Sequence, residues 1–205
     1  MRASLATSAV LVTLALTLSG CSLLAPDYAH EAPKGVPSEY TEPGTELEQD
    51  EAARVPFDEP EIDIAVSIRL IEERDSSLFD DLDNAEDFDG YTPVVVVAQY
   101  DALDEFDKDV DRPTFYSLGG MLGNGEFAGA LVEDGSSNTG SACPYSLDPT
   151  NGGDGTWRLD CMVFLVPDGE ELESIGYYGY DPYGIMAFVS EIGEPFSENP
   201  ITWKF

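Results

Sequence analysis

The stretch Ile62-Asp63-Ile64-Ala65-Val66-Ser67-Ile68-Arg69-Leu70 decides how this chain is read. Ile62, Ile64, Val66, Ile68 and Leu70 alternate with smaller or polar residues, and a period of two puts one set on a buried face, as in a half-buried β-strand. Downstream, Tyr91 to Leu103 contains Val94-Val95-Val96-Val97, a β-branched run suited to a central strand covered on both faces. Residues 76–90 between them read as an acidic loop with a short helical turn. Thr114 to Val132 reads as two short strands around Gly123-Asn124-Gly125, where Asn-Gly supplies the positive φ angles of a tight hairpin. Its glycine spacing does not fit a dinucleotide fingerprint, and no Walker lysine is present. Trp157 to Val166 is a further strand, closed by Pro167-Asp168-Gly169, and Leu172 to Tyr178, Ile185 to Ile192 and Ile201 to Phe205 continue the series. Short strands separated by Gly, Pro and Asp turns predict an all-β fold, a two-sheet antiparallel sandwich over residues 61–205.

Upstream the sequence changes character twice. Arg2 and the amino terminus precede an apolar run from Leu5 to Leu18, which has the form of an export signal and is short for a membrane span of roughly 20 residues. Leu18-Ser19-Gly20-Cys21 follows, and this tetrad resembles the lipobox of bacterial lipoproteins. The resemblance implies a signal peptide over 1–20, cleavage after Gly20 and a lipidated Cys21, with the mature chain held by acyl chains on the extracellular face of the bacterial cell membrane. From Ser22 to Pro60 there are ten acidic residues, two basic ones and six prolines, with no apolar period. Residues 21–60 are therefore expected to be a lipid-anchored, disordered acidic linker, with His30 solvated in it. Cys143 and Cys161 remain as an even pair in an exported domain, so a disulfide between them is expected.

The segment Cys161-Met162-Val163-Phe164-Leu165-Val166-Pro167-Asp168-Gly169, the valine run at 94–97 and the closing Ile201-Thr202-Trp203 resemble the immunoglobulin-like domains of uncharacterised function in lipoproteins of actinobacteria and other Gram-positive bacteria. Many members carry Asn followed by Ser or Thr after the second strand; Gln99-Tyr100-Asp101-Ala102 stands there in this chain. The resemblance implies an immunoglobulin-like β-sandwich on a lipid tether and brings no catalytic residues with it.

Nine Lys+Arg against 41 Asp+Glu give a formal charge of -32, which excludes nucleic acid as a partner because almost no cations are present to neutralise phosphate. Hard cations favour clustered carboxylates. Asp107, Asp109 and Asp111 have the alternate spacing of a Ca2+ loop, although Arg112 and Leu118 stand where an EF-hand needs glycine and glutamate. Asp80, Asp81, Asp83, Asp87 and Asp89 offer carboxylates for a loop site of other geometry, and a solvated acidic surface or high-salt adaptation gives the same composition. Tyr177, Tyr178, Tyr180 and Tyr183 suggest sugar stacking, against the plainer reading of strand tyrosines. No carboxylate pair is singled out for hydrolysis. The sequence therefore predicts a non-enzymatic surface binding module whose partner is a cationic protein, Ca2+ or a cell-wall glycan, with Ca2+ the one candidate cofactor and carboxylate-dependent hydrolysis the enzymatic alternative.

Overall fold

The computed structural model describes residues 27–28, 30–57, 62–80, 82, 84–103, 117–132, 146–147, 157–179 and 194–205. Its strands in chain order are β1 (Asp27–Tyr28), β2 (Glu46–Glu48), β3 (Ala52–Phe57), β4 (Ile62–Glu73), β5 (Tyr91–Ala102), β6 (Leu118–Leu122), β7 (Gly129–Val132), β8 (Ser146–Leu147), β9 (Trp157–Pro167), β10 (Leu172–Tyr177) and β11 (Ile201–Lys204). Two 3₁₀ turns, Ser76–Phe79 and Ala85–Phe88, join β4 to β5, and α1 (Glu194–Glu198) precedes β11.

The strands form an all-β sandwich. One sheet has five strands in the order β3-β4-β5-β9-β7, the other four in the order β2-β11-β10-β6, and β1 pairs with β8. The larger sheet is antiparallel throughout, whereas β11 pairs with β2, and β1 with β8, in parallel. The expected purely antiparallel pattern is corrected to that extent. The parallel partner of β11 comes from residues 46–48, whose composition reads as linker, so the strand signals downstream of Glu61 give no hint of it.

Between the sheets Ala53, Val55, Ile64, Val66, Ile68, Val96, Tyr100, Phe164, Ile175, Ile201 and Trp203 form one buried cluster. Residues 95, 97, 159, 161 and 163 face the other way, into a second cluster over the outer face of the larger sheet with Phe79. The valine run is thus covered on both faces, as its β-branched composition implies. The alternation in β4 does not run through to Leu70. A β-bulge between Ile68 and Leu70 shifts the pleat, so Leu70 packs on the outer cluster and Ile71 against the inner one. The bulge carbonyls meet the preceding turn, with Asp50 N–H donating to Ile68 O (3.0 Å) and Gln49 Nε2 to Arg69 O (3.2 Å).

The expected disordered linker over 21–60 is corrected for the described residues 30–57 by their contacts. Ala52 and Ala53 are buried and Val55 is fully enclosed, while β3 pairs residue for residue with β4 from Ala52↔Ser67 to Phe57↔Ile62. Ahead of it, Thr41 N–H donates to Arg54 O (2.8 Å) and Arg54 N–H to Thr41 Oγ1 (2.9 Å), so residues near 41 also lie along the sheet edge. The folded unit begins well before the expected boundary at residue 61. Pro56 is compatible with β3 because that strand is an edge, where one side of the ladder needs no partner.

Arg54 also forms an ion pair with Asp63, through Nε at 2.8 Å, and the Tyr40 hydroxyl donates to the same carboxylate. Burial works to raise the Asp63 pKa, but the Tyr40 hydrogen bond and the Arg54 guanidinium outweigh it and hold the carboxyl below its ordinary value. A carboxyl depressed by folding adds stability that is complete above its unfolded value, near ~3.9, and is lost as pH falls through the folded value. Asp63→Asn is accordingly expected to lower the urea midpoint at neutral pH and to flatten its acid dependence below pH ~4, measured by chemical denaturation across that range.

Three tight connections carry the chain between sheets. The β2–β3 turn uses Asp50 at φ 70°, the one non-glycine residue at positive φ among the described residues. The Gly123-Asn124-Gly125 turn closes with Gly125 N–H to Leu122 O at 2.8 Å, and Gly125 alone takes positive φ, 84°. Asn124 instead accepts from Glu126 N–H through Oδ1 at 2.8 Å. The turn is tight as expected, but β6 and β7 then part into different sheets after one bridge, Met121↔Phe127. Pro167-Asp168-Gly169 likewise turns β9 of the large sheet into β10 of the small one.

Glycine at position 120 brings the sheets together. A Cβ there would lie 2.8 Å from Phe164 Cδ1 and 2.9 Å from Leu172 Cδ1. Overpacking of this kind costs about 1–3 kcal/mol. Gly120→Ala is expected to lose that much in chemical denaturation, with Gly123→Ala, where a Cβ meets nothing within 4 Å, as the neutral comparison.

Candidate functional site

The outer face of the larger sheet divides along its strands into three zones. At one end, where β4 finishes and β5 begins, the two 3₁₀ turns stand over an open cleft of about 630 Å3. Glu73, Asp75, Asp80, Glu86, Asp89 and Asp168 line it with one cation, Arg74. Phe79 and Phe88, stacked at 4.8 Å, form its floor toward the apolar middle of the face. Asp75 caps the first turn by accepting from Ser77 N–H at 3.0 Å, and that backbone hydrogen bond holds its carboxyl below the ordinary value. Carboxylates collected around a concave surface create a negative potential that attracts and orients cations.

The middle zone is the second apolar cluster, with Val95, Val97, Leu159 and Val163 buried and Cys161 7% exposed. Cys161 therefore faces away from the inter-sheet core. In antibody domains the conserved disulfide spans the sheets, whereas Cys161 lies in the cluster on the outer face of the larger sheet.

The far end is polar and carries a strap. Gln99 is fully buried, and its carboxamide uses all four of its hydrogen-bonding positions. Nε2 donates to Glu31 O (2.6 Å) and Asp101 Oδ2 (2.7 Å); Oε1 accepts from Arg69 Nη1 (2.6 Å) and, more weakly, from Glu31 N–H (3.5 Å). Arg69 continues to the Glu31 carboxylate at 2.9 Å and to Asp50 at 3.4 Å. His30 Nε2 lies 2.6 Å from Asp101 Oδ1, and its ring stacks on Trp157 with centroids 4.4 Å apart and planes 12° from parallel. Trp157 and Asp101 are register partners on neighbouring strands, so one flat ring contacts both.

His30 is thus packed, and its expected solvated place in a linker is corrected. A histidine–carboxylate pair serves hydrolysis when a hydroxyl or thiol completes it. Among the described residues the imidazole's partners are Asp101 and Trp157, and the pair fastens chain to sheet.

Of the residues marked from sequence, Cys21, Cys143, Asp107, Asp109 and Asp111 lie outside the described residues, as do Asp81, Asp83, Tyr180 and Tyr183. Asp80 and Asp89 both line the cleft. No group of three metal-type ligands occurs among the described residues, and none of their helices is long and apolar enough to cross a membrane. Tyr177 and Tyr178 are 4% and 3% exposed, so these two are core residues rather than a stacking platform. Tyr177 meets Phe196 edge-on at 5.4 Å, and burial pushes its hydroxyl pKa up.

Sequence reasoning did not point to Gln99, Asp101 and Arg69 as a site, although one signal was present. Positions 95, 97, 99 and 101 share a face, and polar residues continuing a buried valine series require partners from elsewhere. Comparison with family models, with curated proteins and with solved structures gave no match.

Proposed function

We propose that this chain is a non-enzymatic binding module, lipid-anchored at Cys21 on the extracellular face of a bacterial cell membrane, that takes cationic partners in its acidic cleft. The observation that carries the reading is the convergence of six carboxylates on one open cleft facing a single arginine, in a chain of net charge -32. The lipobox at 18–21 supports the anchor, and the sandwich, with its 161–169 and 201–203 segments, supports grouping the domain with immunoglobulin-like lipoprotein domains. Pairing of Cys143 with Cys161 belongs to the same proposal, supported by cysteine parity in an exported chain.

The test is calorimetric titration of the full mature chain with a lysine-rich peptide, and separately with Ca2+, at low and high salt. Saturable peptide binding that weakens with salt, and weakens further in Asp75→Asn/Asp80→Asn, is the expected result, because exposed charges are screened beyond about 8 Å at physiological ionic strength. Binding indifferent to both overturns the cleft. Tight Ca2+ binding lost in the same variant makes the metal the ligand. Mass spectrometry of the mature N-terminus tests the anchor independently; a chain that starts at any residue other than an acylated Cys21 overturns it.

A further inference from the structure

We propose that the polar end of the outer face is a second binding site, for an extended peptide with a cationic or imidazole side chain, and that residues 30–34 occupy it in cis. It goes beyond the cleft and shares no residue with it.

The first observation is how Gln99 is used. Its carboxamide engages the C=O and, more weakly at 3.5 Å, the N–H of one residue, Glu31, a pairing to the backbone that any side chain at that position satisfies. Backbone recognition is sequence-tolerant, so selectivity must come from the adjacent groups. Those are Asp101, a carboxylate with little exposure, and the face of Trp157, a combination that suits a flat or cationic side chain through charge-assisted hydrogen bonding and ring stacking. His30 fills that place in cis.

The second observation is that the strap fits incompletely. A crevice of about 70 Å3 remains between Ala32, Pro33 and Lys34 on one side and Ser67, Arg69 and Asp50 on the other. Ser67 lies on its floor at 2% exposure, and its Oγ has no hydrogen-bond partner among the described residues. A buried hydroxyl left without a partner costs free energy that a better-matched occupant recovers. Within the strap, Glu31, Ala32 and Lys34 are exposed.

A tethered occupant competes at an effective concentration on the order of millimolar, so micromolar ligands are excluded until the strap is weakened or displaced. The experiment uses the full mature chain, wild type and His30→Ala/Glu31→Ala, and two synthetic peptides: one with the sequence of residues 28–36, the other with Ala at the histidine position. Saturable binding of the first peptide to the variant, about tenfold or more tighter than to wild type and lost with the alanine peptide, is expected. A folded variant with no saturable binding, or one binding both peptides equally, overturns the proposal. If the variant does not fold, wild type decides: the first peptide at millimolar concentration is expected to change the emission of Trp157, and no difference between the two peptides overturns the site.

Discussion

A chain starting at Glu61 is expected not to fold, whereas one starting at Asp27 is expected to fold cooperatively. Removing the earlier residues deletes β2 and β3 and with them six paired positions along β4. It also takes Ala53 and Val55 out of the core and removes Glu51, whose carbonyl accepts from Trp203 Nε1 at 2.9 Å. Each net backbone hydrogen bond contributes about 1 kcal/mol, and burial of a valine about 1.5–3 kcal/mol. The sum is comparable with the whole stability of a typical domain, about 5–15 kcal/mol. Far-UV circular dichroism and thermal melting of the two truncations check this directly. A sharp transition in the chain starting at Glu61 would return residues 27–60 to the role of an accessory tail.

Trp203→Ala is expected to be the most damaging single substitution. The indole is fully buried in the inter-sheet core, and its β11 lies between β10 and β2. Truncation of a buried tryptophan costs about 3–5 kcal/mol, and here it also leaves Glu51 O without its donor. Trp203→Phe keeps most of the volume and loses the N–H, so a smaller deficit in that variant separates the hydrogen bond from the packing. Urea midpoints of the three proteins make the comparison.

The strands that announced themselves were the central ones. β4, β5 and β9 are long, and their apolar patterns emerged from residues 62–70, 94–97 and 157–166 because a strand flanked by neighbours on both sides must be apolar on at least one face. β2 and β3 are edges, and edges in soluble proteins carry charge and proline to discourage pairing with other chains. Glu46-Leu47-Glu48 offers one inward apolar residue, and Ala52-Ala53-Arg54-Val55-Pro56-Phe57 interrupts its pattern with an arginine and a proline. In a chain this acidic such edges have the composition of a linker, so the boundary at 61 followed from chemistry that serves the fold.

The same blindness applied to the strap. His30 and Glu31 are close to Gln99 and Asp101 only because the chain returns across about seventy residues, and sequence spacing carries no sign of that return. What was legible was the demand, polar residues on a buried face of β5. The partner that meets it had to be seen in three dimensions. The outward placement of Cys161 is of the same kind, since cysteine parity says nothing about which side of a sheet a cysteine takes.

The parallel pairing of β2 with β11 joins residues 46–48 to residues 202–204, nearly the two ends of the described chain. The smaller sheet therefore stays incomplete until residues 201–204 are in place to pair. Contacts so distant along the chain make for slow folding, because loop closure must precede the reward. On the export proposed above, that delay would hold residues 46–48 without their partner strand until residues 202–204 arrive to complete the sheet.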